Sequence, residues 1–130
     1  MKNKEPLLHF GLLILRVLTG AGMTYHGCLI LFSGKMNGFV HGVSQMGFPL
    51  PHFFAWAAVL SEFAGGVFLM LGFYTRAAAF FIFVTMMVAF FIRHAEDAFA
   101  VKELALVYGT AAVSLMLTGP GLFSVDSRKS

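Results

Sequence analysis

Long apolar runs, separated by short polar or glycine- and proline-containing segments, dominate the chain. A helix needs about 20 mostly apolar residues to cross a bilayer. The third run is short, but Arg76 and Arg93 bracket it, and long arginine stems can reach either membrane interface. The pattern predicts an all-α polytopic membrane protein: a four-transmembrane-helix bundle forming one domain over residues 1–130, with spans at roughly residues 7–32, 53–73, 77–92 and 102–118.

A shorter amphipathic pattern lies between the first two runs. Apolar side chains recur at i, i+1, i+4 and i+7, at Phe39, Val40, Val43 and Met46, with polar residues between them. This spacing predicts a short helix in the first outer loop that lies in the membrane interface, although its glycines weaken it. Such a helix serves either as an interfacial anchor or as a lid over the outer mouth of the bundle.

Composition supports the membrane assignment. Hydrophobic residues make up 58% of the chain and charged residues only 12%, about half the usual charged share of a soluble domain. The net charge of +3 comes from scattered basic residues, without the basic stripe that nucleic-acid binding requires. Cys28 is the single cysteine, which excludes an internal disulfide and a C-x-x-C redox pair.

The distribution of basic residues predicts the orientation. Arg16 interrupts the first run, so we expect it to be retained as a span and not cleaved as a signal peptide. With four spans, both termini share one side, and basic residues near span ends favour the cytoplasm. We therefore expect a cell inner membrane protein with both termini cytoplasmic. The cytoplasmic side would hold Lys2, Lys4, Arg76, Arg128 and Lys129, against Lys35, Arg93 and Lys102 outside.

Two charged residues interrupt the first and second spans. By helix rise, Arg16 would lie roughly 13 Å and Glu62 roughly 16 Å from the cytoplasmic ends of their runs. A lone charge at bilayer depth costs about 2.5–3.5 kcal/mol, and a facing pair relieves much of that cost. The sequence thus predicts an Arg16–Glu62 pair, which either fixes helix register or belongs to a functional site.

Small residues and helix breakers mark candidate structural positions. Lipid gives helices no hydrophobic reason to associate, so small residues at interfaces let backbones approach closely. Proline cannot continue a helix, and flanking glycines release the chain. On these grounds, together with the bracketing arginine of the third span, the candidate structural residues are Gly20, Gly27, Gly65, Gly66, Gly72, Arg76, Gly119 and Pro120.

A second polar group lies near the outer ends of the spans. It contributes His26, Glu103 and Tyr108, which join Arg16 and Glu62 as candidate binding residues. No metal site is predicted, because the histidines lack the H-x-x-x-H or E-x-x-H spacing that places two ligands on one helical face. A haem between His26 and His94 is geometrically conceivable, but a hydrogen-bonded histidine is the simpler interpretation.

The chain resembles the DoxX family of membrane proteins over nearly all of its length. The first helix carries "LRVLTGAGMTYHG", "GFPLP" leads into the second, and "SEFAGGVFLMLGFYTRAAA" is the most specific match. The end, "ELALVYGTAAVSLMLTGPGLFSVD", is similar to the family's last helix with its Gly-Pro-Gly and Ser-x-Asp finish. Family members commonly carry a lysine where this chain has Ile30, so a role of that lysine in binding does not transfer.

The resemblance implies a four-helix membrane bundle associated with quinone chemistry, since the family takes its name from a subunit of a terminal quinol oxidase. One hypothesis is a redox-associated subunit that binds a quinone or another small aromatic ligand. A second is a non-catalytic structural or assembly subunit of a membrane oxidoreductase complex. A third is a small proton-coupled permease with Glu62 as its gate. A partner subunit or a homo-oligomer is compatible with each, and no complete catalytic constellation marks the chain as an enzyme.

Overall fold

The computed structural model describes residues 5–129, and every regular element in that range is helical. A π-helical turn, Ala89–Arg93, extends the fourth helix. The helices are α1 Glu5–Phe32, α2 Met36–Gln45, α3 Pro51–Leu71, α4 Thr75–Val88, α5 Phe99–Thr118 and α6 Val125–Lys129.

Four helices are long and apolar enough to cross a membrane: α1, α3, α4 with its π turn, and α5. The predicted all-α, four-span fold is therefore confirmed. Each helix begins two or three residues before the apolar run that predicted it. At α3 the reason is Pro51, which is pre-organised for the first helical turn.

The bundle is built by sequential antiparallel packing. Helix α1 packs mainly on α3, α3 on α4, and α4 on α5, while a smaller α1–α5 contact closes the arrangement. The best-buried side chains of the described residues lie between these helices and include Met23, Val59, Leu69, Ile82 and Leu115. Most large aromatic and aliphatic side chains on the outside remain exposed, as expected where lipid and not water surrounds the helices.

Glycines set the register between α1 and α3. A Cβ added to Gly66 would lie 2.6 Å from the carbonyl oxygen of Gly20, and one added to Gly27 would lie 2.7 Å from the backbone nitrogen of Phe63. Real Cβ atoms do not approach backbone this closely, so the two helices meet at this distance only because these positions carry no side chain.

The turns divide the bundle into two ends. We call the end with residues 72–74 and 119–129 the terminal end, and the end with residues 33–50 and 94–98 the distal end. Gly72 closes α3 with φ +70°, and Gly119 closes α5 with φ +79° just before Pro120. Helix α5 thus ends at the Thr-Gly-Pro-Gly sequence where the helix-breaking pattern placed its end.

Candidate functional site

A cavity of about 330 Å³ lies at the distal end, between all four spans and α2. We call it the distal cavity. Polar and charged side chains in its wall are His26, Lys35, Glu62, Arg93, His94 and Tyr108. Its apolar wall consists of Met23, Leu29, Ile30, Phe39, Met86, Ala89, Val101, Leu104 and Ala105.

Glu62 is the acidic residue of this wall. Its Oε2 atom is buried and has no hydrogen-bond partner among the described residues. Arg93 lines the same cavity and supplies a positive charge near this carboxyl group. Burying a carboxylate without hydrogen bonds costs free energy, unless a ligand donates a hydrogen bond to it or a proton neutralises it.

His26 and Tyr108 form the wall on the α1 and α5 side. Their rings meet edge to face, with centroids 6.0 Å apart. Tyr108 reaches this place because α1 carries Gly22, where a Cβ would collide with the tyrosine hydroxyl. The missing side chain of Gly22 therefore makes room for the Tyr108 hydroxyl against α1, while the tyrosine ring meets His26.

Helix α2 covers one side of the distal cavity. Its buried Val40 and Val43 pack against Ala55 at the start of α3. Its Phe39 lines the cavity, and the guanidinium carbon of Arg93 lies 5.2 Å from the centre of that ring. The predicted amphipathic helix is present, and its Phe39 contributes to the cavity wall.

The π turn at the end of α4 shapes the rim. Ala89 and Arg93, its first and last residues, both line the cavity. A π turn widens the helix by one residue per turn and is frequent at functional sites. His94 follows it, with Nδ1 2.6 Å from the Asp97 carboxylate. This contact holds the imidazole at the rim.

The structure brings three of the five candidate binding residues together. His26, Glu62 and Tyr108 line the distal cavity, whereas Glu103 is exposed and absent from its wall. Arg16 lies at the other end of the bundle. Sequence reasoning did not place Lys35 and Arg93 in the candidate set, although both flank helices that end at the distal side.

The predicted Arg16–Glu62 pair is wrong. Gly20 packs against Gly66, and Gly27 against Phe63, so Glu62 lies level with the Gly27 turn of α1. Arg16 instead lies level with Gly72, about ten residues or roughly 15 Å away along the bundle. Residue counts from the ends of the apolar runs predict similar depths for the two charges, but glycine contacts, and not those ends, determine the helix register.

Arg16 is buried in the terminal end with only 1% of its surface exposed. Its Nη2 donates to the carbonyl oxygen of Phe123 at 2.5 Å, and the carboxylate of Asp126 acts on its charge. Gly72 makes room for the guanidinium, since a Cβ there would collide with Nη1. Arg16 therefore fastens the C-terminal segment to α1.

Asp126 in turn fastens that segment to α4. Its two carboxylate oxygens accept hydrogen bonds from the backbone N–H groups of Tyr74 and Thr75, each at 2.9 Å. Its own N–H donates to the Gly72 carbonyl at 2.9 Å. A carboxylate at the start of a helix satisfies donors that the helix leaves unpaired and complements the helix dipole.

A second hollow, of about 520 Å³, lies at the terminal end beside Thr75, Arg76 and Pro120. It is the more open of the two, and the carboxylate in its wall belongs to Asp126, which already binds the start of α4. The distal cavity is more enclosed, and its carboxyl group retains an unused oxygen. The distal cavity is therefore the better candidate site.

Comparison with known proteins agrees with the motifs and the fold. The DoxX family profile matches residues 11–95. The chain is 31% identical over 98 residues to the inner membrane protein YqjF of Escherichia coli, covering 72% of this chain and 75% of that protein. It is 28% identical over 137 residues to an uncharacterized protein of Haemophilus influenzae, covering 98% and 97% of the two chains. No solved structure matches it significantly. The chain belongs to the DoxX family of membrane proteins.

Proposed function

We propose that this protein is a small membrane subunit that binds a quinone-like or other small aromatic ligand in the distal cavity. The observation that carries the proposal is the convergence of His26, Glu62 and Tyr108 in a cavity between the helices whose wall is mostly apolar. Ligand sites are typically concave, mostly apolar and supplied with a few convergent polar groups.

The dimensions of the distal cavity support a ligand of one or two rings. Its volume of about 330 Å³ lies at the lower end of the range of small-molecule sites, which is about 300–1,000 Å³. Phe39 and Tyr108 offer aromatic surfaces, and Met86 offers a polarizable thioether. An aromatic ring in this wall would have hydrogen-bonding groups at its edge and apolar contacts on its faces.

The polar groups could bind either form of a quinone ligand. The Tyr108 hydroxyl and a ring N–H of His26 are donors for a carbonyl oxygen, and Glu62 is an acceptor for a hydroxyl group. A bound quinone would bring its own redox chemistry, while the residues of this chain would position it and exchange a proton at Glu62 or His26. This arrangement supports a binding and proton-handling role.

We further propose that the protein lies in the inner membrane with both termini in the cytoplasm. YqjF of Escherichia coli is named an inner membrane protein, and the lysine and arginine bias favours cytoplasmic termini. In that orientation the distal cavity and α2 lie at the outer surface, so a ligand would enter from the outer side or from the outer leaflet.

Thermal unfolding of the purified protein in detergent, followed by circular dichroism, tests the binding proposal. With 1,4-naphthoquinone and its hydroquinone as probes, we expect the melting temperature to rise with ligand concentration, because a ligand stabilises the folded state by mass action. His26→Ala and Glu62→Gln should reduce this ligand-induced rise. Glu103→Gln, an exposed carboxylate outside the cavity, is the matched control and should retain it.

If neither probe raises the melting temperature of the unmodified protein, the ligand proposal is refuted. A stoichiometric partner in pull-downs from membranes would then favour the structural or assembly subunit. If Glu103→Gln abolished the shift as fully as Glu62→Gln, binding would have to occur elsewhere than in the distal cavity.

A further inference from the structure

Charges are distributed unevenly in the distal cavity. Lys35 and Arg93 lie in its wall with exposed side chains, and His94 is partly exposed beside them. Glu62 is the acidic side chain among the described wall residues, and its Oε2 is fully buried. The cavity thus has a basic rim and a hydrogen-bond acceptor at its inner end. A simple quinone could accept hydrogen bonds from the basic rim, but its neutral ring leaves their charge unbalanced and has no hydroxyl group to donate to the acceptor.

Arg93 is suited to bind an acid at the rim. Within the described part of the chain its guanidinium makes no hydrogen bond, and its nearest ring contact is Phe39 at 5.2 Å. A guanidinium presents a planar fork of donors that binds a carboxylate through two parallel hydrogen bonds. A ligand ring that lay beside Phe39 could direct its carboxylate at this fork.

Glu62 is suited to bind a hydroxyl group at the inner end. Its carboxyl group lines the cavity and makes no hydrogen bond with the described residues, so it has an acceptor to offer a ligand. A quinone carbonyl has no proton to donate to a carboxylate, whereas a phenolic hydroxyl group has one.

From these two features we infer that the distal cavity binds an anionic aromatic hydroxy acid, with its carboxylate on Arg93 and Lys35 at the rim and its hydroxyl group on Glu62. This inference rests on the proposed function and narrows its ligand class. The cavity volume of about 330 Å³ limits the ligand to one or two rings.

Three small probes separate the two contacts. These are 4-hydroxybenzoate, its neutral methyl ester, which keeps the hydroxyl, and benzoate, which keeps only the acid. Their dissociation constants are measured by isothermal titration on the full chain in nanodiscs of zwitterionic phosphatidylcholine. We expect 4-hydroxybenzoate to bind at least tenfold more tightly than either of the other two compounds.

Variants assign each contact to a residue. Arg93→Gln and Lys35→Gln should weaken 4-hydroxybenzoate and benzoate while leaving the ester unchanged. Glu62→Gln should weaken the two hydroxyl compounds while leaving benzoate unchanged. Lys102→Gln is the matched control, because Lys102 is a cation at the same end whose Nζ lies 4.9 Å from the Phe90 ring, outside the cavity wall. Should Arg93→Gln fail to fold, the probe series on the unmodified protein and Lys35→Gln decide the question.

Several results would overturn the inference. Equal affinity for 4-hydroxybenzoate and its methyl ester would show that the basic rim does not favour a negatively charged ligand. An equal loss in Lys102→Gln would show diffuse surface attraction. If nanodiscs with anionic phosphatidylglycerol suppressed binding of the acid completely, the rim would be a lipid-headgroup site. If 1,4-naphthoquinone stabilises the protein and none of the acids binds, this inference falls while the proposed function stands; if nothing binds, both fall.

Discussion

Replacement of Asp126 by asparagine should destabilise the bundle through its terminal end. The carboxylate accepts two backbone hydrogen bonds at 2.9 Å, from Tyr74 and Thr75, and it lies close enough to act on the buried guanidinium of Arg16. Asparagine keeps one acceptor oxygen and turns the other into a donor that faces an N–H group. A hydrogen bond to a charged group contributes about 1.5–3 kcal/mol.

A second contribution comes from Arg16, which is only 1% exposed. Removing one partner of a fully buried ion pair costs about 3–5 kcal/mol, which is an upper bound here because Asp126 is only partly buried and the Phe123 carbonyl still accepts from Nη2. We therefore expect Asp126→Asn to lower the free energy of unfolding by about 2–4 kcal/mol, given that typical helix-cap losses are ~0.5–2 kcal/mol and the charge adds to them.

The measurement is unfolding by sodium dodecyl sulfate in mixed micelles, followed by circular dichroism. Glu103→Gln serves as control, since an exposed carboxylate should change stability by no more than ~0.5 kcal/mol. The double variant Arg16→Gln/Asp126→Asn should lose less than the sum of the single variants, because the two groups act on each other. Additive losses, or an Asp126→Asn variant as stable as the control, would refute the role assigned to this carboxylate.

Three further outcomes are expected. Glu62→Gln and Arg16→Gln should have additive effects on the free energy of unfolding, since the two groups lie at opposite ends of the bundle. A double variant more stable than this sum would show that Arg16 and Glu62 interact after all. Gly66→Ala should impair folding by ~1–3 kcal/mol through overpacking against α1, whereas Gly11→Ala, with open space around it, should be neutral or stabilising. Reporter fusions at the C-terminus should read as cytoplasmic and fusions in the α4–α5 loop as external; the reverse would invert the proposed orientation.

The local pattern of the sequence was sufficient to predict the four spans and α2. Apolar runs of membrane length predicted the four spans, a period near 3.6 predicted α2, and Gly119 with Pro120 marked the end of α5. These features depend on residues near one another in the chain, where hydropathy and backbone conformation act directly. The motifs were likewise sufficient for the DoxX family assignment.

The tertiary structure decided which charges meet. The sequence placed Arg16 and Glu62 at similar depth, but the contact of Gly20 with Gly66 sets α1 against α3 in a different register. Arg16 consequently meets the C-terminal segment, a contact between residues more than a hundred positions apart. A count of residues from the membrane interface cannot supply such a register, because lipid imposes no preferred alignment between neighbouring helices.

The distal cavity was also decided only in three dimensions. His26, Glu62 and Tyr108 come from three helices, and the π turn of α4 brings Arg93 to the same wall. Neither the π turn nor the position of α2 has a signal in the hydropathy pattern. By itself, the sequence determined which residues are polar and near which end of a span they lie. The packing of the helices determined that six of them share one cavity and that Glu103 does not.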